Sequence, residues 1–380
     1  DNLRLAGLCH AKCRGVLAVT NDDEANLAIA IAVRPLNPGI PVIARAEQKS
    51  VAANMASFGT DHIINPYERF ADSLALAVAA PERFRLIELL TSLPETPLAE
   101  PHQPPHGHWI LCGYGRFGHA VAERLRNTGI RLTIIDPAAG DADHDIIGDG
   151  TEASTLRQAG ISEARGIVAG SNNDINNLSI AVTAHELNPE LFVVARQNQA
   201  ANNALFAAYG ADFTVLPSRV IAQECIALLT APLLARFLDR VQQLNETQCR
   251  QLVERLQAAC AGLTPVVWDN RLNAAEAPAC WQALMHGRTI ELGSLLADAA
   301  DRQRRLPVVP LLVERGTDYL LLPADDFTLQ AGDQLLFASP LAAQRELELT
   351  LRNANELDYV LTGNDHSGSL LGKLLAGRTA

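Results

Sequence analysis

The sequence predicts an α/β protein with two doubly wound parallel-sheet domains, the first truncated at its amino end, followed by a small α+β module. Two observations carry this prediction. Gly15 to Pro81 repeats as Gly166 to Pro232 at a constant offset of 151, and a repeat of that length marks a duplicated domain. Across the second copy, short apolar runs alternate with helical stretches, the signature of βαβ units and a parallel sheet.

The repeat is dense. Thr20-Asn21-Asp22-Asp23 falls on Ser171-Asn172-Asn173-Asp174, and Asn26-Leu27 on Asn177-Leu178. Leu36-Asn37-Pro38 falls on Leu187-Asn188-Pro189, Ile43-Ala44-Arg45 on Val194-Ala195-Arg196, and Gly59-Thr60-Asp61 on Gly210-Ala211-Asp212. The second copy also extends upstream to His108, whereas the first has no room for the equivalent. Half an open sheet cannot cover its own core. The missing strands are expected either upstream of residue 1 or from another chain.

In the second copy, strands are expected at Trp109–Cys112, Leu132–Ile135, Ile167–Ala169, Phe192–Ala195 and Phe213–Val215, with a helix from Gly118 to Asn127. The segments are then 1–92 for the truncated copy, 93–107 for a proline-rich linker and 108–235 for the second copy. A helical connector follows at 236–262, a module of short strands at 263–340, and a C-terminal tail at 341–380 that reads as loosely ordered beyond Asn353.

Composition narrows the function. The formal net charge of −12 and the absence of a basic stripe argue against nucleic acid as a partner. No apolar run reaches the ~18 residues of a membrane helix. Seven scattered cysteines without a CxxC pair read as reduced thiols, and Cys9-x-x-x-Cys13 lacks a second pair to complete a metal site.

The chemistry concentrates after the first strand of the second copy. Gly113-x-Gly115-x-x-Gly118 follows a strand and opens a helix. Gly113 allows the turn, Gly115 lets a pyrophosphate approach the backbone, and Gly118 lets helix and strand pack closely, as in a Rossmann-like domain. The helix N-terminus offers free N–H groups to phosphate. Asp136 lies where a carboxylate meets ribose hydroxyls and repels a 2′-phosphate, or it is a turn residue before Pro137. Asp149-Gly150-Thr151 reads as facing the same crevice, with Thr151 also an N-cap candidate. Ser171-Asn172-Asn173 can cap the next helix and touch the nucleotide. Arg196, like Arg45, suits a phosphate contact or an ion pair with a neighbouring acid. Asp22, Asp23 and Glu24 suit either a divalent cation or, more simply, a helix N-terminus. No HExxH, GxSxG or P-loop motif occurs, which favours a sensor over an enzyme.

Gly113-Tyr114-Gly115-Arg116-Phe117-Gly118, Ile135-Asp136, Gly148-Asp149-Gly150-Thr151, Asn172-Asn173-Asp174 with Asn177-Leu178, and Ala195-Arg196 together resemble an RCK domain, also called the KTN or TrkA N-terminal domain. The resemblance covers about residues 108–230 and again 1–80. The stretch Thr328 to Phe337 is similar to the TrkA C-terminal domain. The resemblance implies the cytosolic gating ring of a potassium channel that binds NAD(H), ATP, ADP or AMP, sometimes with Ca²⁺, and pairs as dimers within a ring. It implies that the six residues of the glycine loop share nucleotide contact, and that the helix near Ser218 to Leu229 is exchanged between partners. With only a linker between the copies, the arrangement looks like a tandem-RCK channel whose pore lies upstream, the present segment being soluble on the cytoplasmic face of the membrane. The alternatives are a separate regulatory subunit of a Trk, Ktr or Kef-type transporter and, less well supported, an NAD-dependent oxidoreductase or a scaffold with an empty crevice.

Overall fold

A computed structural model describes residues 2–97, 103–138 and 145–363. The chain forms two compact units, one of residues 1–84 with 100–226 and the other of residues 85–99 with 227–380.

The first unit holds both copies. In the first copy, β1 (Val16–Ala18), β2 (Val42–Arg45) and β3 (His62–Ile64) form a parallel sheet in the order β1-β2-β3. In the second copy, β4 (His108–Cys112), β5 (Arg131–Asp136), β6 (Ile146–Ile147), β7 (Gly166–Ala169), β8 (Phe192–Arg196) and β9 (Phe213–Val215) form a parallel sheet in the order β6-β5-β4-β7-β8-β9. At the offset of 151, β1 to β3 superpose in sequence on β7 to β9. The first copy is therefore the second half of the same domain. Among the described residues it has no counterpart of β4 to β6.

The expected strands form because their side chains are apolar on both faces. Every residue of β4 and β7 is buried, as a central strand covered by helices on both sides requires. On one face Trp109, Leu111, Ile134, Val168 and Val194 pack against Phe117, Val121 and Leu125 of helix Arg116–Arg126. The same core takes Tyr67, Phe70, Leu74 and Val78. These come from helix Pro66–Ala79 of the first copy, which thus lies on the sheet of the second. Arg69 on that helix reaches Glu224 of helix Pro217–Thr230 at 2.8 Å. Pro66 sits at the first turn and Asn65 caps it, accepting from the Tyr67 and Glu68 amides.

The second unit centres on an antiparallel sheet of β10 (Val266–Arg271), β11 (Val309–Arg315), β12 (Asp318–Leu321) and β13 (Gln334–Ser339) in the order β10-β13-β11-β12. The sequence expectation lacked β10, because Val-Val-Trp-Asp-Asn-Arg mixes polar and apolar residues. One face packs on Leu233, Leu234, Phe237, Leu252 and Leu256 with Leu86 and Leu89. The expected connector is therefore a structural layer of this unit. It is two helices: Pro232–Arg240, with Pro232 in the first turn where no N–H is needed, and Glu246–Ala259, started by Asn245 with a capping box to Gln248. The other face packs on Leu347, Leu351 and Leu357 of helices Leu341–Arg352 and Ala354–Thr362. Where a loose tail was expected beyond Asn353, helix Ala354–Thr362 buries Leu357 and Val360. Residues 364–380 of that tail, and 98–102 of the expected linker, lie outside the described residues. The near end of the linker is tied down in this unit, with Thr264 and Glu95–Thr96 exchanging backbone bonds of 2.9 Å.

Among the described residues, no helix is long and apolar enough to cross a membrane. All seven cysteines are free, five of them buried.

Candidate nucleotide-binding site

The strand order of the second copy reverses between β4 and β7, and the carboxyl edge of an open sheet forms its ligand crevice at such a point. Gly113 follows β4 with φ +97°, and a Cβ there would meet the Gly170–Ser171 backbone at 3.2 Å. Gly118 packs so closely that a Cβ would collide with the Gly113 carbonyl oxygen. Gly115 differs from both. It is the N-cap of helix Arg116–Arg126, and a Cβ on it would meet nothing within 4 Å. The loop is thus closed by Gly113 and Gly118 and open at Gly115, beside the free N–H groups of a helix N-terminus.

The other candidates stand along the same edge. Asp136 ends β5, and its carboxylate accepts the Tyr114 N–H at 2.6 Å and the Ala138 N–H at 2.8 Å. It therefore sits against the glycine loop and fixes the start of the Pro137 turn, the turn role expected of its position. Asp149 is exposed and accepts the Thr151 N–H at 2.9 Å. Thr151 is not a cap; the N-cap of helix Ala153–Gln158 is Glu152. Gly150 is buried, and a Cβ there would lie 2.7 Å from the Cys112 Sγ. Burial, with the Asp149 charge adding to it, pushes that thiol up to about 12.

Asn173 caps helix Asp174–Leu187, accepting from Ile175 and Asn176. The Ser171 hydroxyl bonds the Asn173 carbonyl, and Asn172 is exposed. Behind them Asn177 is fully buried. It accepts the Ser171 N–H at 2.8 Å and donates to the Ser171 and Arg196 carbonyls at 2.9 and 2.7 Å. Asp174 anchors the next loop through Asn198, Gln199 and Asn202. Burial alone would raise its carboxyl, but these bonds pull it below the ordinary value.

Two side chains are held by the protein itself. The Phe117 ring is core, 1 % exposed and stacked on Phe70 at 5.6 Å, because the helix carried over from the first copy covers it, which leaves its backbone amide as the part at the loop. Among the described residues, Arg196 has no carboxylate partner within ion-pair distance. It donates to the Tyr67 hydroxyl at 3.0 Å and lies over the Tyr67 and Phe117 rings; burial lowers its pKa. Tyr114 is half-buried, its ring 3.8 Å from that of His119.

The first copy also reaches the loop. Glu47 holds Arg116 at 3.0 Å and pairs with Arg45. Neither Glu47 nor Tyr67 was expected at this site. The signal lay in the repeat, which aligns Glu47 with Asn198 and so places it at a crevice edge. Asp22 and Asp23 are engaged as helix groups. Asp22 caps Glu24 and Ala25, and Asp23 accepts from the Glu47 and Gln48 amides. Among the described residues, no group of three acidic, cysteine or histidine side chains is arranged to hold a metal.

Residues 2–66 and 109–217, a stretch in each copy, match the TrkA-N domain family. The chain is 30% identical over 150 residues to potassium channel protein 1 of Methanocaldococcus jannaschii, covering 37% of this chain and 45% of that one. It is 31% identical over 135 residues to the Trk system potassium uptake protein TrkA homolog of Methanothermobacter thermautotrophicus, covering 33% and 62%. The chain thus spans less than two thirds of either relative. Among solved structures it is similar to the GsuK channel bound to NAD, at 19% identity and a TM-score of 0.49, covering 92% of this chain and 69% of that one.

Proposed function

We propose that this chain, which matches the TrkA-N domain family in a stretch of each copy, is a nucleotide-sensing regulatory region that controls a membrane potassium pore and performs no catalysis. The observation that carries the proposal is the pairing of an open Gly115 with Asp136 on the next strand, at the reversal of strand order. An adenine nucleotide or NAD(H) fits these residues. The amides after Gly115 suit its phosphates, and the Asp136 carboxylate suits ribose hydroxyls while disfavouring a 2′-phosphate. The exposed Arg116 supplies a guanidinium beside the loop.

Sensing needs no bond-making. A ligand that prefers one arrangement of the copies shifts their populations by its difference in affinity. The Arg116–Glu47 and Arg196–Tyr67 contacts make the loop of one copy depend on the other. Beside the loop, the buried Cys112 thiol is held protonated at neutral pH, as suits a packing group rather than a nucleophile.

The potassium pore is proposed from the similarity to potassium channel protein 1. A second reading, a separate regulatory subunit, draws on the similarity to the TrkA homolog. Assembly of copies into dimers and a ring belongs to the same proposal; the edge strand β1, with Leu17 exposed, is suited to further pairing, and light scattering tests it. Calorimetric titration of NADH, NAD, ATP, ADP and AMP tests the site. Micromolar binding that weakens in Asp136→Ala is expected; absence of binding by all five contradicts it.

A further inference from the structure

The repeat that relates the two copies leaves one position chemically unmatched, at the sheet edge opposite the glycine loop. In the first copy Arg34 folds its guanidinium into a cradle. Its Nε donates to the Gly59 carbonyl at 2.8 Å, and Nη1 donates to the Pro38 and Ile40 carbonyls at 3.1 and 2.8 Å. Nη2 donates to the Asp61 carboxylate at 2.6 Å and again to Gly59. The same Asp61 oxygen accepts the Val42 N–H at 2.6 Å. A planar fork with five N–H groups is matched by three carbonyls and one carboxylate.

The second copy keeps the cradle. Gly210 has φ +72° where Gly59 has +78°. Asp212 accepts the Val193 N–H at 2.7 Å, as Asp61 accepts that of Val42. Asn188 and Asn37 end their helices at the same φ of −150°, and the Leu191 and Ile40 amides turn back to them alike. The occupant differs, because position 34 corresponds to His185, which lines the cavity's side and is exposed. In place of the guanidinium there is a cavity of about 420 Å³ lined by Pro189, Leu191, Gly210 and Asp212, the counterparts of the residues that hold Arg34. Glu190 replaces Gly39 at its rim and adds a second carboxylate.

We propose that this cavity is a receptor for a guanidinium group, presented by a free guanidino compound or by an arginine side chain. The first copy shows the receptor filled by its own residue, and the second keeps the acceptors without the donor. The selectivity follows from shape. Carbonyls set around a plane suit the guanidinium fork, whereas an ammonium points three donors away from a tetrahedral centre. A neutral ureido group has the shape and lacks the charge that the two carboxylates favour.

The test is amide NMR of the full chain at fixed ionic strength, titrated with L-arginine, L-lysine, L-citrulline and a capped Gly-Arg-Gly peptide. L-Arginine is expected to shift the Val193, Gly210 and Asp212 amides saturably and ~10-fold more tightly than lysine, with citrulline inert. Tighter binding of the peptide would assign the site to an arginine side chain, and tighter binding of the free amino acid to a small guanidino compound. His185→Arg supplies the missing occupant. It is expected to stay folded, melt at a higher temperature and no longer respond to arginine. No saturable shift with either arginine compound, an equal response to lysine or citrulline, or an undiminished response in His185→Arg would overturn the proposal.

Discussion

The two copies share a polar skeleton and differ in what surrounds it. Asn26 and Asn177 are both fully buried and make equivalent bonds to the strand end before them and the arginine carbonyl after the next strand. Asp23 and Asp174 both anchor the loop after that next strand. Yet the first copy presents Arg45 and Glu47 to each other as an ion pair, while the second places Arg196 on the rings of Tyr67 and Phe117. The skeleton therefore belongs to the half-domain itself. The proposed nucleotide site draws on the strands before it, which the second copy has and the first lacks among the described residues.

The sharpest way to break this comparison lies in the glycine loop. Gly118→Ala drives a Cβ into the Gly113 carbonyl and is expected to destabilise the first unit by ~3 kcal/mol and abolish nucleotide binding; thermal unfolding and calorimetry read both. Gly115→Ala adds a methyl to open space, so stability should hold within ~0.5 kcal/mol while nucleotide binding falls ~10-fold or more. If both substitutions leave binding intact, the loop is packing only.

Next in size is the shared skeleton. Asn177→Ala leaves buried backbone groups without partners and is expected to cost ~2–3 kcal/mol, and Asn26→Ala a similar amount. Denaturant unfolding of each variant measures this, and a loss in one copy alone would show that the skeletons are not equivalent.

A smaller effect separates the copies by acid. Hydrogen bonds pull both Asp174 and Asp61 below the ordinary carboxylate value against burial, Asp61 through the Val42 amide and the Arg34 guanidinium. A lowered folded pKa contributes stability above the unfolded value near 3.8, and that stability is lost as pH falls below it. Asp174→Asn and Asp61→Asn should each flatten the acid limb of a stability–pH curve. Removing Arg34 should weaken the Asp61 contribution only.

The smallest effect concerns the link between copies. Glu47→Gln frees Arg116, and nucleotide affinity should change by ~3-fold; because Glu47 also pairs with the buried Arg45, thermal unfolding reads the accompanying loss of stability separately. An unchanged affinity would mean that the two copies fold together without sensing together.

Much of this was legible from residues alone. The offset of 151 locates β1 to β3 as counterparts of β7 to β9, and the glycine spacing with Asp136 locates the crevice. What escaped depends on chain crossings that no local pattern records. Helix Pro66–Ala79 leaves its own copy to cover Phe117, which turned a candidate ligand contact into core and brought Tyr67 to Arg196 across more than a hundred residues. The strand β10 escaped because its two faces pack against different layers, leaving no alternation to read. The helix after Asn353 escaped because its apolar residues are sparse, and only the core beneath it gives them something to bury.

The central claim is that ligand chemistry resides in the second copy alone, and the stoichiometry of nucleotide binding tests it most directly. Calorimetry of the tightest-binding nucleotide on the full chain, repeated with Gly115→Ala, should give one nucleotide per chain and then the same single site weakened ~10-fold or more. Two per chain, or binding unaffected by the substitution, would contradict it.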